Sequence, residues 1–111
     1  MPVATKTLTI PAGQSLSNSA DCQGATQILI GMPTVWDNAN LTFQFSGDGT
    51  NFYDLFTYTG WEVTMVLTRG AMVPLENLDV ASKGMLKIRS GTRGYPVVQT
   101  INRDFLLTIA T

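Results

Sequence analysis

Short runs of alternating apolar and polar residues, each closed by a turn sequence, limit what this chain can fold into. In the clearest run, residues 41–46 are Leu-Thr-Phe-Gln-Phe-Ser, which predicts a β-strand with its large apolar side chains on one face. Residues 47–50 are Gly-Asp-Gly-Thr, and an Asp-Gly pair favours the positive φ angles of a type I′ hairpin turn. The aromatic-rich segment 51–59 and the alternating segment 63–68 complete a predicted three-stranded meander.

Signals of the same kind recur along the rest of the chain, whereas helical periodicity is confined to one possible turn within 74–82. Further strands are predicted at 5–10, around Leu16, and at 28–30, 86–89, 97–98 and 104–110. A length of 111 residues is enough for one domain. The prediction is therefore an all-β fold: a single small β-sandwich or jelly-roll-like domain of about seven or eight antiparallel strands, spanning residues 1–111, with a short N-terminal arm at about 1–5.

The composition excludes several kinds of chemistry. The chain has no histidine and one cysteine, Cys22, so it cannot contain a Ser-His-Asp triad, a Cys-His nucleophile, a histidine-ligated metal or an internal disulfide. Lys and Arg number 7 against 8 Asp and Glu, for a net charge of −1, and a nucleic-acid partner is not expected. We also expect no signal peptide, no membrane partner and no cofactor.

The acidic residues do not form a recognisable catalytic pair, because Asp48, Asp54, Glu62 and Asp104 are spread over turns and outward strand positions. We therefore expect a protein that is not an enzyme. Asp48, Asn51 and Asp54 bracket one turn and offer the oxygen ligands that calcium prefers. Calcium takes about six to eight oxygen ligands, so these three groups do not complete a site. Stabilisation of the hairpin is the favoured interpretation of the three residues. The calcium alternative stays open.

Aromatic and arginine side chains raise the question of binding. Trp36 lies in a loop beside Asp37 and Asn38, and it either plugs the open end of a sandwich or provides a platform for a partner. For Trp61, just past the turn at Gly60, a core position and an exposed position are both compatible with the sequence. Interface arginines are candidates at Arg69, Arg93 and Arg103, although an ordinary solvated charge is the favoured interpretation for each.

The segment 41–55, Leu-Thr-Phe-Gln-Phe-Ser-Gly-Asp-Gly-Thr-Asn-Phe-Tyr-Asp-Leu, carries a wider resemblance. An apolar strand, Ser-x-Asp-Gly and an aromatic-led strand recur in β-sandwich proteins from the structural gene clusters of tailed phages. The later segments 86–92 and 105–109 fit the same pattern. Over most of its length the chain resembles the capsid decoration proteins, also called stapling or cement proteins, of epsilon15-like short-tailed bacteriophages.

This resemblance implies a virion protein made in the host bacterial cytoplasm. It would bind the outer capsid surface, tie neighbouring capsomers together and stabilise the shell against the pressure of packaged DNA. The implied partners are the major capsid protein and other copies of the chain, as a homodimer or trimer. Alternatives are a receptor- or glycan-binding module of a phage tail or fibre, and a neck or tail adaptor.

The family carries no contact motif, so the candidate contact residues rest on their places in predicted loops and in the N-terminal arm, 2–7. These candidates for capsid contact or self-contact are Pro2, Val3, Thr5, Trp36, Asp37, Asn38, Arg93, Tyr95, Pro96 and Val97.

Overall fold

The computed structural model describes residues 3–37, 39–66, 69–75 and 83–111, and these form two antiparallel sheets of four strands each. The strands are β1 (Val3–Ile10), β2 (Ala20–Asp21), β3 (Gln27–Gly31), β4 (Leu41–Ser46), β5 (Tyr53–Asp54), β6 (Met72–Pro74), β7 (Met85–Ser90) and β8 (Arg103–Ala110). The first sheet has the order β1-β8-β3-β6 and the second β2-β7-β4-β5. The predicted all-β fold is confirmed, and the arrangement is that of a small β-sandwich.

The core lies between the inner faces of the two sheets. Period-2 alternation puts Leu8 and Ile10 of β1 on the same inner face as Phe105 and Leu107 of β8, and all four are fully buried. The first sheet also buries Ile28 and Ile30 of β3. The fully buried large apolar residues of the second sheet are Leu41 and Phe43 of β4 and Leu86 and Ile88 of β7. Burying these side chains is the main force that joins the sheets.

The predicted meander is only partly correct. Strands β4 and β5 pair through Gln44↔Asp54 and Phe45↔Tyr53, so residues 46–52 form a wide loop rather than a two-residue type I′ turn. The segment 62–66 forms no strand and contacts its neighbours through single bridges at Glu62 and Met65. The Asp48 carboxylate accepts hydrogen bonds from the backbone N–H groups of Thr50 and Asn51. These bonds stabilise a loop that is longer than a two-residue Asp-Gly turn, which explains the difference.

Three smaller expectations also change. The proposed N-terminal arm is not separate from the fold, because Val3–Thr5 already belong to β1 and pair with β8. Leu16 makes a single bridge with Arg89, whereas the edge strand of this region is β2. No strand forms at 97–98, since Gly91 and Pro96 pair directly and close the loop beforehand. The possible helical turn within 74–82 falls mostly at 76–82, outside the described residues.

Candidate functional site

Trp36 is a core residue and does not form an exposed platform. Its side chain is 3% exposed, and its ring packs edge-on against Phe105 with the ring centres 5.3 Å apart. The indole N–H donates to the carbonyl oxygen of Ala39 at 3.1 Å, which satisfies its polar group inside the protein. The prediction of Trp36 as a contact residue is therefore corrected, and its alternative role as a plug at one end of the sandwich is the one observed.

Asp37 is engaged in a polar network that closes the same end. Its carboxylate accepts hydrogen bonds from the backbone N–H and the hydroxyl of Thr100, at 2.7 and 2.9 Å, and lies 3.4 Å from the Arg103 guanidinium. The hydrogen bonds from Thr100 are the main reason that the pKa of Asp37 is lowered. Gln99, fully buried, bonds to Arg103, Ser90 and the Asp37 backbone. Asp37 is thus a structural residue, and Asn38 lies outside the described residues.

Apart from Tyr53 on β5, the exposed aromatic side chains of the described residues lie on two loops, 56–62 and 91–96. Tyr58 is fully exposed, Trp61 is 75% exposed and Tyr95 is 84% exposed, while Phe56 is partly exposed. We call Phe56, Tyr58, Trp61 and Tyr95, together with Arg93, the aromatic loop surface. Aromatic residues with a polar group, and arginine, are the side chains most enriched at protein interfaces.

The loop 56–62 is closed by its own hydrogen bonds. Phe56 and Glu62 form a bridge at its base. Within the loop the Thr57 N–H donates to the Trp61 carbonyl oxygen at 2.7 Å, and the Thr57 hydroxyl accepts from the Trp61 N–H at 3.2 Å. These bonds fix the backbone of a tight turn that has Tyr58 at its tip and Trp61 beside it, so this backbone need not be ordered when a partner binds.

The loop 91–96 is closed in a comparable way. Gly91 pairs with Pro96 and has a φ of +89°, and a Cβ atom at this position would lie 2.5 Å from the Tyr95 carbonyl oxygen. Glycine is therefore required here both by its backbone angle and by the close approach of the returning chain. Thr92 and Tyr95 exchange backbone hydrogen bonds of 3.2 Å, so Arg93 and Gly94 form the tip and the exposed Tyr95 lies directly beside it.

An ionic network under the aromatic loop surface ties both loops to the second sheet. Arg89, on the outer face of β7, is paired with Asp54 of β5 and with Glu62 at 3.3 Å, and its side chain is only 9% exposed. The Glu62 carboxylate also accepts from the backbone N–H of Arg93 at 3.0 and 3.2 Å. The Arg93 guanidinium lies 3.2 Å from Asp54 and 5.7 Å from the ring centre of Phe56.

The same contacts fix the charge of Asp54. Burial raises the pKa of its carboxyl, but hydrogen bonds from Arg89 and Gln44 and the charges of Arg89 and Arg93 outweigh burial and leave the pKa below its ordinary value. Asp54 is therefore an ionised partner of two arginines. Asp48 accepts from Thr50 and Asn51 within its own loop, and these bonds strongly lower its pKa.

A shallow groove and the buried cysteine have properties that do not suit a ligand site or a nucleophile. A groove of about 220 Å³ is lined by Thr64, Met65, Val66, Val73 and Pro74, which is smaller than the usual range of roughly 300–1,000 Å³ for small-molecule pockets. Cys22 is buried, and burial together with the nearby charge of Asp21 raises the pKa of its thiol to about 11. Such a thiol is a poor nucleophile near neutral pH.

The remaining predicted contact residues lie at two separate places. Arg93, Tyr95 and Pro96 are exposed and Val97 is half-buried on or beside the aromatic loop surface. Val3 and Thr5 lie on β1 at the edge of the first sheet, and Pro2 lies outside the described residues. The sequence did not single out Phe56 and Tyr58, although Tyr58 and Trp61 flank the Gly60 turn, and aromatic residues around a turn glycine are a usable sign of exposed loop aromatics.

Comparison of this chain with protein-family models, curated proteins and solved structures finds no match. Over the described ranges, no helix is long and apolar enough to cross a membrane.

Proposed function

We propose that this chain is a virion structural protein that binds the outer surface of a tailed-phage capsid and cements neighbouring capsomers. The observation that carries the proposal is the aromatic loop surface, in which Tyr58, Trp61 and Tyr95 are presented on loops already held in place by hydrogen bonds and ion pairs. A cement protein needs this kind of preorganised contact surface, since a weak contact repeated over many copies stabilises a shell through avidity.

The polar groups around these aromatic side chains favour a protein partner. Asp54, Glu62 and the backbone N–H of Arg93 are all engaged in hydrogen bonds within the chain. A sugar site requires directed polar groups beside the aromatic rings, whereas exposed aromatic side chains and arginine are enriched at protein interfaces. The low net charge of −1 fits contact by shape and apolar area rather than by charge steering.

The three carboxylates with a shifted pKa fit a structural role rather than acid catalysis. A general acid must keep its proton near neutral pH, which requires a raised pKa. At Asp37, Asp48 and Asp54 the surrounding donors lower the pKa instead. These groups act as acceptors that hold loops in place, and the proposed role requires no reaction.

The proposal is tested by complementation of phage particles whose genome lacks the gene for this chain. Particles are assembled with the wild-type chain, with the double variant Tyr58→Ser/Trp61→Ser, or with Leu106→Ser as a control for loss of an exposed apolar residue on the outer face of the opposite sheet. The readouts are copies per particle and the temperature at which the particles release DNA. Circular dichroism of each purified variant checks its fold, which truncation of two exposed side chains should leave intact.

We expect wild type and Leu106→Ser to saturate the particles and raise the release temperature. The double variant should bind at least about tenfold more weakly, since interface hot spots contribute about 2 kcal/mol or more each. Binding of the double variant at wild-type level would exclude the aromatic loop surface as the capsid contact. Absence of the wild-type chain from the particles would exclude the decoration function.

A glycan-binding module is the second candidate, and the exposure of Trp61 is the observation that favours it, because an exposed indole can stack on a sugar ring. A glycan array probed with the wild-type chain and with Trp61→Ala separates the two functions. A sugar-dependent signal lost in Trp61→Ala would support the module, and no signal above background would exclude it for the glycans tested.

A further inference from the structure

The outer edge of β1 is the longest strand edge that the described part of the chain leaves without a neighbouring strand. Strand β1 has eight residues and pairs with β8 along its whole length, from Val3↔Ala110 to Ile10↔Arg103. The other edge strands, β2, β5 and β6, have only two or three residues each. An unpaired edge exposes backbone donors and acceptors that a further strand can bind.

The backbone groups that point outward from this edge are identified by hydrogen bonds at both ends of β1. At one end the Thr9 N–H donates to the Asn18 side chain at 2.8 Å, and the Thr9 carbonyl oxygen accepts from the Asn18 N–H. At the other end the carbonyl oxygen of Ala110 accepts from Thr26, on the β3 side of β8. Its partner Val3 therefore directs its own groups away from β8.

Outward N–H and C=O groups thus belong to the odd-numbered residues of β1. Asn18 occupies those of Thr9, whereas Val3, Thr5 and Thr7 meet no other strand among the described residues. All side chains over 3–7 are exposed, and Val3 is 61% exposed. The open part of the edge is therefore residues 3–7, with three outward-facing residues evenly spaced about Thr5.

This edge lacks most of the devices that block strand addition. Proteins protect open edges with proline, bulges, short strands or several charges. Residues 3–7 contain no proline, the eight pairs with β8 run without a bulge, and Lys6 is the one charged side chain in the segment. The segment can therefore accept another strand without rearrangement.

We propose that β1 pairs with β1 of a second copy of this chain, antiparallel about a two-fold axis, with Thr5 opposite Thr5. In this register Val3 lies opposite Thr7, so every outward N–H and C=O of these residues finds a partner in the other copy. Lys6 lies opposite Ala4, so like charges do not face each other directly. The two first sheets then form one continuous sheet across the dimer.

Self-complementarity is the reason to assign a second copy as the occupant. One register satisfies all the outward groups and keeps the two lysines apart, and the low net charge of −1 makes repulsion between copies small. An interface built mainly from one strand edge is small, so we expect a weak dimer that depends on concentration in solution. The inference does not rest on the proposed capsid function, since it concerns the isolated chain.

Sedimentation equilibrium of the purified chain over a wide concentration range tests the dimer. Thr5→Pro removes the central outward N–H, which makes no bond to β8, and edge strands tolerate proline at such positions. Thr5→Val keeps the N–H and is the matched control. Thr5→Pro should weaken the dimer at least about tenfold, because each copy loses a hydrogen bond. A wild-type chain that stays monomeric, or equal dimerisation of the two variants, would overturn the proposal.

Disulfide formation tests the register without a change of backbone. In the proposed dimer the Cα atoms of two Thr5→Cys chains lie about 5.5 Å apart, within disulfide range. Two Ala4→Cys chains are offset by two residues along the strands, and their Cα atoms lie about 8 Å apart, which is too far. We expect fast oxidation of Thr5→Cys to a covalent dimer and slow oxidation of Ala4→Cys. Equal rates, or the reverse order, would overturn the register.

Discussion

Removal of the Arg89 guanidinium should destabilise the protein substantially, because this group holds two carboxylates together beneath the aromatic loop surface. The Arg89 side chain is 9% exposed, and its partners Asp54 and Glu62 are 19% and 14% exposed. Arg89→Met keeps much of the side-chain volume but leaves two carboxylates without their shared cation. Breaking a buried ion pair by removing one partner costs about 3–5 kcal/mol. We expect about 3 kcal/mol, at the lower end of that range, because Asp54 keeps its contacts with Gln44 and Arg93.

The cost should also depend on pH, with a sign fixed by the pKa of Asp54. In the wild type that pKa is lowered, so the contribution to stability is present above the unfolded value of about 3.9 and is lost as the pH falls through the lower folded value. In Arg89→Met the contribution of Arg89 is gone and burial remains, so the pKa of Asp54 rises. The difference between the two proteins is therefore largest near pH 7 and shrinks as the pH falls below about 4.

Urea unfolding followed by tryptophan fluorescence at pH 7 and pH 3 measures both effects, since Trp36 is buried in the folded chain. Lys87→Met is the matched control: it removes a cation from the same face of the same strand, where the Lys87 ammonium lies 4.3 Å from the ring centre of Phe52. We expect this control to cost about 1 kcal/mol or less. A cost below about 1 kcal/mol for Arg89→Met at pH 7 would refute the buried network, as would a cost that is the same at both pH values.

The remaining predictions concern the core, a turn and the cysteine. Phe43→Ala should destabilise the fold by about 3–5 kcal/mol in the same unfolding assay, because Phe43 is fully buried; a loss under about 1 kcal/mol would place it outside the core. Gly91→Ala should cost about 1–3 kcal/mol through its positive φ and its contact with the returning backbone, whereas Gly94→Ala, with nothing within 4 Å of the added carbon, should change stability by no more than about 0.5 kcal/mol; similar costs for the two would contradict the account of this loop. Cys22 should react slowly with a thiol reagent at pH 8 and fully in denaturant, since its pKa is about 11; fast labelling of the folded chain would contradict its burial.

The strands of the core could be predicted from the sequence because their signal is local. The alternation of apolar and polar residues around Phe43 and Phe105 predicts which side chains face inward, and both phenylalanines are fully buried in the structure. The same local logic placed Trp36 at an open end of the sandwich as one of two possibilities, and packing against Phe105 decides between them. A period-2 pattern is therefore sufficient for the long strands and for most of the core, whereas the short strands β2 and β6 are not predicted from it.

The candidate site could not be predicted in the same way, because distant contacts create it. Alternation in β7 marks Arg89 as an outward residue, which in an antiparallel sheet is usually solvated. It is buried only because the loops 56–62 and 91–96 fold over it and bring in Glu62 and Arg93. These partners lie far apart in sequence and carry no motif. The sequence identified Arg93 and Tyr95 as contact candidates from loop composition alone, without the network that holds them.

The proposed decoration function requires this chain to cover a capsid shell. The most direct measurement is its copy number relative to the major capsid protein in purified particles, by quantitative mass spectrometry. A decoration role predicts a copy number comparable with that of the major capsid protein, because only coverage of the whole shell requires so many copies. A handful of copies per particle would contradict the claim and move the function to the neck, tail or fibre.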